Sequence, residues 1–303
     1  AGFARTTPLL PAGEISRRVG ATVTLKAECL QATGSFKVRG AFNTLATLGP
    51  AELESGVVTA SAGNHAQAVV AAAKHAGSYA DVFMPAGAPL AKIAAVRRRG
   101  AEVHLVDGSF DEAVEAAAAF AAERGSTVLP AFDHPAVIAG QGTIGLEIAE
   151  QAPATRLVVV PLGGGALVAG IAMAIKARLD GVRVVGVQSE NCAPYIDQIG
   201  RLNDAGDRLR PSDSASQKAP RPIGARSAVT ICDGIAVKRP GELTLPLVDE
   251  WVDEVVTVSD DQVAEAMVLL LERSKLVVEG AGAVGVAALL SGRIAPPAEG
   301  ETC

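Results

Sequence analysis

Short runs of β-branched or apolar residues at 56–60, 80–84, 102–106 and 127–129 are separated by alanine-rich helical windows at 64–76, 89–99 and 110–123. This alternation admits few folds. Strands joined through a helix of this length run parallel, and the helices then cover the faces of the sheet. A second series follows, with a helical window at 136–151, a strand at 156–161, a helix at 167–179, a strand at 182–188, a short run at 255–258 and helices at 260–274 and 281–290. A further strand is expected at 22–27, and the aperiodic polar stretch 203–222 reads as a long surface loop. The expected fold class is therefore α/β, with open parallel sheets in two units, and 303 residues are enough for two cores.

The net charge of -6 leaves no basic surplus to neutralise phosphates, so no nucleic-acid partner is expected. The one basic run, Arg97-Arg98-Arg99, closes a helical window, where cations complement the carbonyl end of the dipole. Residues 157–175 carry no charge over the length of a membrane span, but Pro161 and three consecutive glycines break the run into strand, turn and helix. No membrane partner is expected. Cys29, Cys192, Cys232 and Cys303 form no CxxC or CxH pair, which argues against zinc and a disulfide framework and for a cytoplasmic location. No leader-like segment opens the sequence.

In an open α/β sheet, ligands collect where strands end and helices begin. Two turns have that position. Ser61-Ala62-Gly63-Asn64-His65 follows the run at 56–60 and offers a hydroxyl, an amide and free N–H groups to a carboxylate. Gly163-Gly164-Gly165-Ala166-Leu167 follows the strand ending at Pro161, and its bare backbone can wrap a phosphate. Val168 stands where GxGxxG needs its third glycine, and no Gly-Lys-Ser/Thr follows, so neither a dinucleotide nor a nucleoside triphosphate fits. Residues 59–63 approach GxSxG, but Thr59 replaces the first glycine and the last histidine is His134, too early for a hydrolase triad. His75 and His104 read as structural.

A lysine gives these turns a partner. Lys37, in Thr33-Gly34-Ser35-Phe36-Lys37-Val38-Arg39-Gly40-Ala41, sits at an expected helix start, where the positive dipole end disfavours the ammonium and favours the free amine. An amine for an aldehyde, a nest for a phosphate and a donor for a ring hydroxyl together suit pyridoxal 5'-phosphate, with no metal needed.

These motifs, with 5–9, 140–143, 233–237 and 279–288, resemble the fold type II (tryptophan synthase β-like) pyridoxal-phosphate enzymes, and among them the threonine/serine dehydratases. The resemblance implies a large cofactor domain, 1–50 plus 135–303, a small mobile domain at 56–132 inserted in it, and the cofactor in the cleft between them. It implies that Lys37 forms the Schiff base and takes the α-proton, and that Phe36 lies against the ring. Asn64 is implied to bond the ring hydroxyl, and Gly163, Gly164, Gly165, Ala166 and Leu167 to hold the phosphate, with Gly234 and Glu279 along the cofactor. Ser61, Ala62, Gly63, Asn64 and His65 receive the substrate carboxylate, with Ser61 also counted as catalytic. The implied reaction is β-elimination from L-threonine or L-serine, giving a 2-oxo acid and ammonia, by a homo-oligomer acting on a small β-hydroxy amino acid. The alternatives are another β-hydroxy amino acid such as 3-hydroxyaspartate or phenylserine, a serine racemase, or a non-catalytic small-anion binding protein. Ala62 stands where serine racemases carry an acid/base serine, and Val38 where sulfur-amino-acid and threonine synthases usually carry aspartate; both favour elimination. Gln188, Cys192 and Pro194 do not supply the acids of metal-dependent members, and no metal is expected.

Overall fold

The computed structural model describes residues 4–199, 229–298 and 301–303; the polar stretch 203–222 lies outside the described residues. The chain divides into two compact units, residues 1–8 with 26–143 and residues 9–25 with 144–303, the division falling inside the helix Pro135–Gln151. Residues 56–132 lie wholly in the first unit.

The first unit is built on a four-stranded sheet in the order Glu102–Val106, Ala80–Pro85, Val57–Ala60, Thr127–Val128, parallel throughout. Alternate side chains of a strand face opposite ways. Val57, Val82 and Met84 accordingly share one core with Val69 of Asn64–His75 and with Ile93 and Val96 of Leu90–Arg98. Val58 and Phe83 face the other way, against Ala113, Ala117 and Ala121 of Phe110–Arg124. Those alanines recur every fourth residue, which puts them on one stripe of the helix. Ser109 caps that helix by accepting from Glu112 N–H, and Gly125 ends it in the left-handed region at φ 70°.

The second unit holds a three-stranded parallel sheet in the order Leu157–Pro161, Arg183–Ser189, Glu254–Val258. Six of the seven residues in its central strand are buried. That continuous burial is what a parallel strand covered on both faces requires. The helix Gly280–Leu290 packs on it through Ala283, Val284 and Ala287. These two larger sheets are parallel, as the alternation of runs implied; a third sheet pairs the short strands Leu9–Pro11 and Thr24–Lys26.

Some elements differ from the sequence reading. The strand expected at 22–27 is confined to Thr24–Lys26. The helix expected over 260–274 is α-helical only for Asp260–Leu269 and continues as a π-helical turn, Leu270–Ser274, ended by Lys275 at φ 58°. The helices Gly13–Val19, Pro194–Ile199 and Thr244–Trp251 had no counterpart in the sequence reading.

Within the first unit, the helix Lys37–Leu45 crosses the start of Pro135–Gln151 at a glycine contact. A Cβ at Gly140 would lie 2.6 Å from the Arg39 carbonyl oxygen and 2.7 Å from Gly40 Cα, both backbone atoms that cannot swing aside. Helix propensity favours alanine over glycine by about 1 kcal/mol, whereas overpacking costs about 1–3 kcal/mol. The clash is with backbone, so the cost wins. Gly140→Ala is expected to lower the urea unfolding midpoint; an unchanged or raised midpoint would show that the helices separate freely.

Candidate active site

In the first unit, Lys37 is the first residue of its helix, and Phe36 before it offers no side-chain cap. The Lys37 amine donates to the Ala131 carbonyl at 2.8 Å and stands 5.4 Å from the centre of the Phe36 ring. The hydroxyls of Thr33 and Ser35 are buried and find no hydrogen-bond partner among the described residues. A buried, unpaired hydroxyl costs about 1–3 kcal/mol, so such groups mark a place where a polar ligand is welcome. Arg39 is tied down nearby: its guanidinium donates to Glu28 Oε1 at 2.8 Å, Glu28 Oε2 at 2.9 Å and Thr143 Oγ1 at 3.0 Å. That buried pair fixes the helix that carries Lys37.

The turn after Val57–Ala60 is open. Ser61 Oγ accepts from Gly63 N–H at 3.2 Å, and no atom lies within 4 Å of where a Cβ on Gly63 would stand. Asn64 and His65 begin the helix Asn64–His75, whose Gly63 N-cap has no side-chain cap bond. The His65 ring does not join this opening. It is buried, with Nε2 3.0 Å from the Leu129 carbonyl, which also accepts from Thr59 Oγ1 at 2.9 Å. Only the His65 backbone is therefore available to a carboxylate. Burial first, and then the Lys37 charge, push the imidazole pKa down to about 3. The ring is thus neutral near pH 7, carries its proton on Nε2 and donates it to Leu129.

In the second unit, Gly163, Gly164 and Gly165 link Leu157–Pro161 to the helix Ala166–Lys176. Gly165 is the N-cap, at φ 92°, and makes no side-chain cap. The first N–H groups of an α-helix have no intrahelical acceptor, and a bare glycine turn leaves them open to an anion. A Cβ on Gly163 would come 2.9 Å from Ile235 Cα, so the short helical turn Asp233–Ile235 packs against this loop. A Cβ on Gly234 would lie 3.3 Å from Glu279 Oε1, which brings two more of the expected residues together.

Each unit taken by itself holds groups that fit pyridoxal 5'-phosphate: in the first, a lysine amine at a helix start with buried, unpartnered hydroxyls close by in sequence, and in the second, a glycine turn at an uncapped helix start. Several residues escaped the sequence reading. Ala131 and Leu129 act through carbonyls, which leave no signature in a sequence. Tyr195 and Thr244 are buried hydrogen-bonding side chains in the second unit, and so is Gln188, which the sequence reading weighed only against a metal site. His75 and His104 are structural, as expected: His75 packs against Phe42, and His104 stacks on Phe83 at 4.5 Å with Nε2 2.6 Å from Asp81 Oδ1. A cavity of about 590 Å³ runs along Tyr79, Asp81, His104 and Phe120 but includes none of the expected site residues. Among the described residues no helix is long and apolar enough to cross a membrane.

Residues 2–301 match the family described as pyridoxal-phosphate dependent enzyme. The chain is 47% identical over 285 residues to an L-threonine ammonia-lyase of Thermotoga maritima, covering 94% of this chain and 67% of the relative. It is 43% identical over 279 residues to the catabolic L-threonine dehydratase of Escherichia coli K12, covering 92% and 79%. Among solved structures, a threonine deaminase from T.th. superposes with a TM-score of 0.84 at 38% identity, covering 99% of this chain and 91% of that one. Maize serine racemase gives a TM-score of 0.84 at 32% identity, covering 96% and 83%.

The His65 geometry predicts a pH effect. Its folded pKa of about 3 lies below the ordinary histidine value of about 6.5, so between these values the unfolded chain binds a proton that the folded one does not. Stability contributed by the neutral ring is therefore full above about pH 6.5 and declines as the pH falls towards 3. Relative to His65→Gln, the wild-type chain is expected to lose about 1.5–2 kcal/mol of unfolding free energy between pH 7 and 5. Parallel curves for the two proteins would refute the buried neutral assignment.

Proposed function

The chain belongs to the family of pyridoxal-phosphate dependent enzymes, and on that footing we propose that it eliminates the β-hydroxyl of L-threonine and L-serine, releasing 2-oxobutyrate or pyruvate with ammonia. The observation that carries the proposal is Lys37: a half-buried amine at a helix start, beside two unpaired buried hydroxyls, in a chain 47% identical to an L-threonine ammonia-lyase.

When bound, the cofactor supplies an aldehyde for the lysine amine and a ring that withdraws electrons from the substrate α-carbon. The protein's part is to bind, orient and move protons. Lys37 Nζ would hold the cofactor and would receive the α-proton of the substrate. The Ala131 carbonyl gives the displaced amine an acceptor within the first unit. Ser61, with the backbone N–H groups at Gly63 to His65, holds the substrate carboxylate in the space that Gly63 leaves open. Asn64 would hold the ring hydroxyl and Phe36 the ring face. In the second unit the turn from Gly163 to Leu167 would hold the phosphate, with Gly234 and Glu279 also on the cofactor.

Serine racemases superpose closely enough to be the second reading. Ala62 counts against it, because a methyl group can neither give nor take a proton on the face of the substrate opposite Lys37. A cytoplasmic, reducing setting belongs to the proposal. All four cysteines are free, and burial raises the pKa of Cys232 to about 11 and of Cys303 to about 12, which keeps both thiols protonated and unreactive. Self-association as a homo-oligomer is part of the same reading.

Borohydride reduction of the purified protein, followed by peptide mapping, is expected to find a pyridoxyl group on Lys37. A label on another lysine would overturn the assignment. Lys37→Ala should reduce ammonia release from threonine to background while the protein remains folded. A panel of β-hydroxy amino acids is expected to rank threonine and serine above 3-hydroxyaspartate and phenylserine by 2-oxo acid formed.

A further inference from the structure

We propose that Tyr195 is a positioning residue for the phosphate-holding turn, acting through the carbonyl of Gly164; this rests on the reading of Gly163 to Leu167 as the phosphate nest. Tyr195 lies in the short helix Pro194–Ile199 and is fully buried. Its hydroxyl donates to the Gly164 carbonyl at 3.0 Å and lies 2.9 Å from Thr244 Oγ1, which in turn accepts from Gly241 N–H at 3.2 Å.

A trans peptide points its C=O and its N–H in opposite directions. Holding the Gly164 oxygen on Tyr195 therefore turns the N–H of Gly165 away from the tyrosine, with the helix dipole of Ala166–Lys176 behind it. Without that hydrogen bond a run of three glycines has no side chain to fix its peptide planes, and the nest would sample many orientations. Gly165 is also shaped by the tyrosine. It has φ 92°, and a Cβ there would collide with the Tyr195 hydroxyl and come 2.8 Å from Thr244 Cβ.

The tyrosine is itself braced. Gln188 is fully buried at the end of the central strand, and its Oε1 accepts from the backbone N–H of Tyr195 at 3.1 Å and of Ile196 at 3.2 Å. The Gln188 amide nitrogen donates to the Leu162 carbonyl at 3.4 Å, and Leu162 N–H donates to the Val187 carbonyl at 2.8 Å. The glycine turn is thus tied at Leu162 to the central strand and at Gly164 to a tyrosine that the same strand holds. A tyrosine that only filled the core would need its ring and not its oxygen, so phenylalanine separates the two roles.

The test strips the full-length holoenzyme of cofactor with hydroxylamine and measures equilibrium binding of pyridoxal 5'-phosphate and of pyridoxal, which lacks the phosphate. Losing one neutral hydrogen bond is expected to weaken pyridoxal 5'-phosphate binding by Tyr195→Phe about 3- to 10-fold, with pyridoxal binding unchanged. Unchanged binding of both, or equal weakening of both, overturns the positioning role. If Tyr195→Phe does not fold, Thr244→Val, which removes the hydroxyl beside the tyrosine oxygen, is expected to produce a smaller phosphate-selective loss, and absence of that loss overturns the proposal. A wild-type protein that binds the two compounds equally well would instead remove the phosphate-nest reading on which the proposal rests.

Discussion

Parallel pairing constrains everything else in this chain. A parallel strand cannot turn back on its neighbour through a tight hairpin, so Val57–Ala60 and Leu157–Pro161 each lead into a helix that crosses over the sheet. Each crossover places a helix N-terminus, with its unpaired N–H groups, directly at the carboxyl end of a strand. The turns at 61–65 and 163–167 are thus products of the topology. Asn64–His75 and Ala166–Lys176 start without a side-chain cap, as Leu90–Arg98 also does, whereas Ser109 and Ser259 close the starts of Phe110–Arg124 and Asp260–Leu269.

Charge in the first unit is arranged around a lysine and a histidine. An imidazolium at His65 would be buried next to Lys37, and both burial and that charge oppose it. The neutral ring donates to Leu129, two residues before the carbonyl that Lys37 reaches. The segment 129–131 therefore carries one acceptor for the ring and another for the amine, and Thr59 adds a second donor to Leu129.

The fold was legible where chemistry is repeated along the chain. Strands such as Ala80–Pro85 have five of six residues buried, and helices such as Phe110–Arg124 show alanines at every fourth position, so periodicity reports them. Gly13–Val19 buries only Ile15, and Pro194–Ile199 and Thr244–Trp251 are short and carry proline; single contacts hold such elements, and periodicity cannot see them. In the candidate site, the helix start at Lys37 and the strand-to-helix glycine turns at Gly63 and Gly165 were legible because each shows as a local change of pattern along the sequence. The Ala131 carbonyl was not, since every residue has one. Tyr195 was not, since its partner on Gly164 is distant in sequence and its helix has only six residues.

Glycines in the turns at 61–65 and 163–167 and at Gly234 do unlike jobs. Gly163 is glycine because Ile235 backbone lies against it, and Gly165 because its φ of 92° and the Tyr195 hydroxyl exclude a side chain. Gly234 is packed closely on Ala281 and Glu279. Each of these three is accounted for by neighbouring protein atoms. Gly63 is not: its φ of -124° is open to any residue, and nothing lies within 4 Å of the missing Cβ. A methyl group there would meet open space beside the start of Asn64–His75. Packing therefore does not account for Gly63, which stands between Ser61 and Asn64, the two polar side chains of this turn.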